Sequence, residues 1–225
     1  MTTTAPAGIL FDWDNTLIDS WPSIIQAMNT TLDAMGHTPW TVEECHARIG
    51  RSMREAFPEL FGERWLDART VFQDTFAAIH LDMLVPLAGA EVMLADLVDR
   101  GLYLGVVSNK TSAFLRTEAA ALGWDRYFGR LVGAGDAARD KPASDPVHLA
   151  LQGSGLTAGE SVWFAGDTLV DMQCGADSGC PGILIHPNPP GAEAFPGCAP
   201  RLVFRGCEDF HHFVRNLPVP KRVEQ

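Results

Sequence analysis

Two aspartates, Asp12 and Asp14, stand two positions apart directly after the apolar run Gly8-Ile9-Leu10-Phe11. Like charges that close repel, and burying them costs more still, so a turn open to water, a cation or a substrate must offset them. Residues i and i+2 share a side of an extended chain, so both carboxylates can face one ligand while Trp13 between them points the other way. Three further sites carry reactive groups after apolar runs. Ser108, Asn109 and Lys110 follow residues 102–107, and Gly166-Asp167-Thr168-Leu169-Val170-Asp171 follows residues 161–165. Asp140, Lys141 and Pro142 stand in the loop after residues 130–134. Carboxylates, a hydroxyl and a lysine together bind cations, attack electrophiles and neutralise anions. Each motif alone has a plainer reading. The paired aspartates suit a surface turn or half of a calcium loop, Ser108-Asn109-Lys110 a strand end or helix cap, and Asp167 an N-cap with Asp171 solvated. The signal is that several strand ends deliver such groups to one edge.

The elements that position them follow from hydrophobic spacing. Residues 8–11 read as a short buried strand. Ile24, Ile25, Met28, Leu32 and Met35 recur at helical spacing over residues 21–35, and Gly36 ends that helix. Thr41 and Glu44 form a capping box that opens a second helix, interrupted at Gly50. Residues 63–81 read as a third, with Trp65, Phe72, Phe76 and Ile79 on one stripe. From Pro86 onward the texture alternates. Helices are expected over 90–99, 111–122, 147–152, 169–178 and 208–215, and strands over 102–107, 130–134, 161–165, 182–185 and 201–204. Near-continuous apolar strands alternating with helices predict a parallel sheet covered on both faces. The expected architecture is a doubly wound α/β core, residues 1–18 and 85–225, with an all-helical insert, residues 19–84, after the first strand. Ligands bind such sheets at the carboxyl ends of the strands, where the reactive groups gather. The tail 218–225 is expected to fray.

The 225-residue chain carries a formal net charge of −11, which disfavours nucleic acid and anionic membranes as partners. An anionic substrate must be met by local positive charge or by a metal. Five cysteines, an odd number with no C-x-x-C pair, predict free thiols in a reducing compartment. The first residues show no basic, apolar leader, and no run approaches the roughly 18 apolar residues of a membrane span. A cytoplasmic protein is expected.

The motifs in their order resemble the haloacid dehalogenase superfamily in its phosphatase branch, over most of the chain. Asp12-Trp13-Asp14-Asn15-Thr16-Leu17 fits the first motif, Val107-Ser108-Asn109 the second, Lys141-Pro142 the third, and Gly166 to Asp171 the fourth. The helical insert between the first two matches that family's cap. Within the superfamily the chain looks most like the phosphoglycolate phosphatase-like group. The resemblance implies a Mg²⁺-dependent phosphatase acting on a small phosphorylated metabolite, phosphoglycolate being the first candidate. It implies Asp12 as nucleophile, forming an aspartyl-phosphate, and Asp14 as the acid that protonates the leaving oxygen and later activates water. Ser108, Asn109 and Lys141 are implied to bind the phosphoryl group. Mg²⁺ is implied to be held by Asp12, the backbone carbonyl of Asp14, and Asp167. Asp171 is implied to stand behind them, orienting a metal-bound water or Lys141. The family often has glycine where Asn15 stands, and asparagine tolerates the left-handed backbone that position needs.

Arg48, Arg51 and Arg54 cluster around Gly50, in a segment that faces the active site in related capped phosphatases. One or more of them, Arg51 first, is expected to grip an anionic group on the leaving portion of the substrate. The alternative is a solvated helix face paired with Glu44 and Glu55. Gly133 to Ala138 matches a dinucleotide loop, but Lys141-Pro142 leaves no room for the helix it needs, so a plain loop is expected. His211-His212 lacks a third ligand and reads as a helix-surface pair. A phosphomutase of the β-phosphoglucomutase type would use the same core with sugar-binding cap residues, which the sequence does not reveal. A dehalogenase would not need Asp14. A non-catalytic binding module usually lacks residues that are all present here. The resemblance leaves a monomer or a homodimer open.

Overall fold

The computed structural model describes residues 5–218; the expectation for the tail lies almost wholly outside them. Its centre is a six-stranded, all-parallel sheet of order β5-β4-β1-β6-β7-β8. The strands are β1 (Gly8–Phe11), β4 (Tyr103–Thr111), β5 (Arg130–Ala134), β6 (Val162–Gly166), β7 (Gly182–Ile185) and β8 (Leu202–Phe204). The central β1 is buried throughout because helices cover both faces. Side chains alternate across it as the pleat requires. Ile9 and Phe11 join the cluster under α5 (Ala90–Asp99), α6 (Ser112–Ala121) and α9 (Cys207–Arg215). Leu10 joins the opposite cluster, under α7 (Asp145–Leu151) and α8 (Leu169–Asp177). The order reverses at β1, with β4 on one side and β6 on the other. That switch point opens a crevice at the carboxyl ends of the three strands.

The helical cap leaves and returns through a two-stranded antiparallel stem, β2 (Ile18–Asp19) paired with β3 (Val85–Pro86). Strands this short leave no periodicity to read, and the stem was not foreseen. Between them lie α1 (Trp21–Ala34), α2 (Val42–Arg48), α3 (Met53–Phe61) and α4 (Trp65–Ile79). Thr41 caps α2 as expected: its Oγ1 accepts from the Glu44 amide at 3.2 Å, and Glu44 Oε2 accepts from the Thr41 amide at 2.9 Å. The helix α3 corrects the sequence reading, which left residues 50–62 without an element. Gly50 before it and Pro58 within it masked the pattern, yet Phe57 and Phe61, one turn apart, bury its inner face. The cap has its own apolar core, including Met28, Leu32, Phe57, Phe72 and Phe76.

All five cysteines are free and buried. The loop Gly133 to Ala138 carries no helix N-terminus. A Cβ on Gly133 would lie 2.4 Å from Ser112 Cα, so that glycine serves the close passage of β5 beside α6. His211 bonds Asp96 on α5 at 3.0 Å. Among the described residues no helix is long and apolar enough to cross a membrane.

Candidate active site

The first pair of carboxylates is set by a tight turn at the end of β1. The Asp12 amide donates to Ala165 on β6 at 2.8 Å, carrying the sheet ladder one residue further. Asn15 then takes φ 62°, the one positive value among described residues other than glycine, as its position required. The Leu17 and Ile18 amides both donate back to Trp13 O, which closes the turn. Trp13 faces away from the site and is fully buried against Trp124 and Phe128. Asp12 and Asp14 are thereby left lining the crevice.

From β4 come Ser108, Asn109 and Lys110. Pairing with β5 is irregular between Val107 and Thr111, and this irregularity re-aims the strand's last side chains. Ser108 lines the crevice, its Oγ accepting from the Lys110 amide at 3.2 Å. Asn109 lines the same crevice, with its side-chain amide bonded to backbone groups. It accepts from the Lys141 amide at 3.0 Å and donates to the carbonyls of Lys141 and of Gly50 in the cap, both at 3.1 Å. Asn109 thus braces the Lys141 backbone and ties the cap to the core.

Lys141, 3% exposed, donates to Asp12 Oδ1 at 2.6 Å and to Asp171 Oδ1 at 2.7 Å. Burial opposes its charge, but the two carboxylates outweigh that and raise its pKa. Asp171 is the third residue of α8, not a solvated one. Its Oδ2 accepts from the amide and hydroxyl of Thr168, the true N-cap, at 2.9 and 2.6 Å. A Cβ at Gly166 would lie 2.4 Å from Asp171 Cγ, so glycine there is what lets Asp171 sit against the end of β6. Thr16 Oγ1 donates to Asp167 at 3.3 Å.

Asp12, Asp167 and Asp171 each offer a carboxylate oxygen, all within 4.8 Å of one another. Burial pushes the Asp12 carboxyl up from 3.8 to about 7, against the pull of Lys141. Burial, then the charges of Asp171 and Asp12, raise Asp167 well above its ordinary value. Three buried carboxylates against one ammonium leave the cluster short of positive charge, which fits a hard divalent cation such as Mg²⁺. The Asp14 carboxylate is not in this cluster: Lys110 Nζ donates to it at 2.5 Å.

Lys110 is the strand-end residue to which sequence reasoning gave no role, and behind it lies a buried network. Glu118, 1% exposed on α6, accepts from Trp13 Nε1 at 2.8 Å, pairs with Lys110 Nζ at 2.9 Å and meets His80 Nδ1 at 2.8 Å. Burial lowers the pKa of Lys110, but Asp14 and Glu118 reverse the shift and leave it raised. The signal was available: Leu115, Glu118, Ala119 and Leu122 share helical spacing, which places a carboxylate on an apolar stripe. Glu118→Gln sets an amide against three donors. We expect a loss of about 2–4 kcal/mol in urea unfolding, with Glu118→Asp milder.

The three cap arginines are engaged by carboxylates. Arg48 pairs with Glu44 at 3.0 Å, as the helix-face reading foresaw, and Arg51 pairs with Glu59 at 2.5 Å rather than Glu55. Both stand at the rim of the crevice. Arg54 is turned to the core. Its Nε and Nη2 grip the buried Asp140 at 2.5 and 2.6 Å, immediately before Lys141, clasping α3 to the catalytic loop.

A family model described as haloacid dehalogenase-like hydrolase matches residues 9–185. A phosphoglycolate phosphatase from Xylella fastidiosa is 30% identical over 183 residues, 80% of each chain. One from Pectobacterium atrosepticum is 30% identical over 185 residues, 79% of each chain. A crystal structure described as a predicted phosphatase from Clostridium acetobutylicum superposes with a TM-score of 0.83 at 20% identity, covering 95% of this chain and 100% of that one.

Proposed function

The chain belongs to the haloacid dehalogenase-like hydrolases and is a phosphoric monoester hydrolase; from that premise we propose that it cleaves a small phosphate monoester by attack of Asp12 on phosphorus. The observation that supports this most is the meeting of Asp12, Asp167, Asp171 and Lys141 in one buried cluster, of which Asp12, Asp167 and Lys141 line a cavity together with Asp14 and Ser108. Asp12 Oδ forms the new bond to phosphorus while the bond to the ester oxygen breaks. Asp14 gives that oxygen its proton. Water then attacks the aspartyl-phosphate and loses a proton to Asp14, which releases inorganic phosphate and restores Asp12. Lys110 fixes Asp14 through one oxygen, so the carboxyl is oriented before substrate arrives. Ser108 meets the phosphoryl oxygens and Lys141 balances charge beside the nucleophile. Asp12, Asp167 and the Asp14 carbonyl would hold Mg²⁺, with Asp171 orienting Lys141. Bound there, the ion supplies positive charge to the phosphoryl oxygens.

Release of phosphate from p-nitrophenyl phosphate tests this reading. Turnover should need Mg²⁺ and stop with EDTA. Asp167→Asn should raise the Mg²⁺ needed for half-maximal rate by at least about 100-fold and abolish the rise in Tm that Mg²⁺ gives the native chain. Full turnover in EDTA would remove the metal from the scheme. The curated relatives make phosphoglycolate the reference ester for comparison.

A further inference from the structure

A cavity of about 150 Å³ joins the catalytic floor to the underside of the cap. The floor is Asp12, Asp14, Ser108 and Lys141, and the walls above include Met28, Met53, Leu60, Phe72, Phe76 and Phe114. Met53, Ala56, Leu60 and Phe114 pack against the cap's apolar core yet remain half-buried, and each lines this cavity. Apolar surface left uncovered beside a reaction centre marks a place for an apolar partner.

Resting on the phosphatase reading, we propose that the leaving group of the preferred ester is uncharged and apolar, about the size of one aromatic ring, and sits among these cap side chains and Phe114 of α6. The volume bounds that size: a cavity of about 150 Å³ takes up benzene, and this one extends over the catalytic floor as well, so the organic half is one ring at most. The chemistry of the walls supports an apolar group. A carboxylate entering there would leave water for methionine, leucine and phenylalanine, an unpaired charge in an apolar site. Of the nearby arginines, Arg54 is held by the buried Asp140, and Arg48 and Arg51 stand at the exposed edge of the cavity, paired with Glu44 and Glu59, rather than among its apolar walls. Phe72, Phe76 and Phe114 offer ring faces and edges to a ring between them. The phosphoryl group then lies on the Asp12–Ser108–Lys141 floor, with the ester oxygen towards Asp14.

Initial rates of the full chain with Mg²⁺ on benzyl phosphate, ethyl phosphate and phosphoglycolate test this, since all three release primary alkoxides. The expected kcat/KM for benzyl phosphate exceeds both others by roughly 10- to 100-fold, the worth of burying one ring. Ala56→Trp fills the cavity and should bring the benzyl-to-ethyl ratio down towards one; the ranking in the native chain stands as a test without the variant. Phosphoglycolate turned over as fast as benzyl phosphate, or benzyl no faster than ethyl, overturns this inference and leaves the phosphatase reading intact. Release of phosphate from none of the three overturns the phosphatase reading itself.

Discussion

Asparagine in place of Asp12 is expected to lower kcat by at least about 10⁴-fold, because the amide cannot attack phosphorus. Phosphate release from p-nitrophenyl phosphate measures it. The fold should not suffer, and here the sign is informative. Burial raises the Asp12 pKa from 3.8 to about 7, so between those values the folded chain holds a proton that the unfolded chain has released. Stability contributed by this group therefore falls as pH rises through that window. Without Mg²⁺, Asp12→Asn should melt at or above the native temperature, and its advantage should grow as pH rises from about 4 to about 7. A variant that melts lower at every pH would mean the carboxylate is structural.

Lys141→Ala should damage both activity and fold. It leaves Asp12 and Asp171 buried and facing each other without the ammonium that now touches both. The expected loss is about 3–5 kcal/mol in urea unfolding, partly recovered on adding Mg²⁺, with kcat down by about 10³-fold or more. Lys141→Arg should not restore the rate, because a planar guanidinium cannot replace a compact ammonium in a space this closed. Unfolding curves of the three proteins with and without Mg²⁺, beside their rates, decide it. A Lys141→Ala chain as stable as the native one would mean that Asp12 and Asp171 are not charged together.

The core of the fold was readable because its determinants are local. Four-residue apolar runs such as Gly8–Phe11 and Gly182–Ile185 have few other uses than buried strands, and glycines mark the helix ends. The positions of Asp12, Asp14, Lys141 and Asp167 were readable because strand ends converge at a switch point. What local pattern does not carry is which partner each charge finds. Lys110 reaches Asp14 across 96 positions of sequence, and Arg54 reaches Asp140 across 86. Asn109 read as a phosphate ligand, and no local pattern foretold that its side chain also bonds the Lys141 backbone and the Gly50 carbonyl, 32 and 59 positions away. The helix α3 was hidden because Pro58 stands where a helix is usually interrupted, while Phe57 and Phe61 still bury its face.

The short ladder in which Ile18 faces Pro86 and Asp19 faces Val85 brings the chain's exit and re-entry side by side. A graft made at that ladder exchanges most of the apolar wall above the strand ends, leaving Phe114 of α6, while those strand ends keep their spacing. Selectivity in such a protein is a detachable cartridge: recombination at one narrow seam can give new esters to an unaltered reaction centre, with no stepwise rebuilding of the sheet.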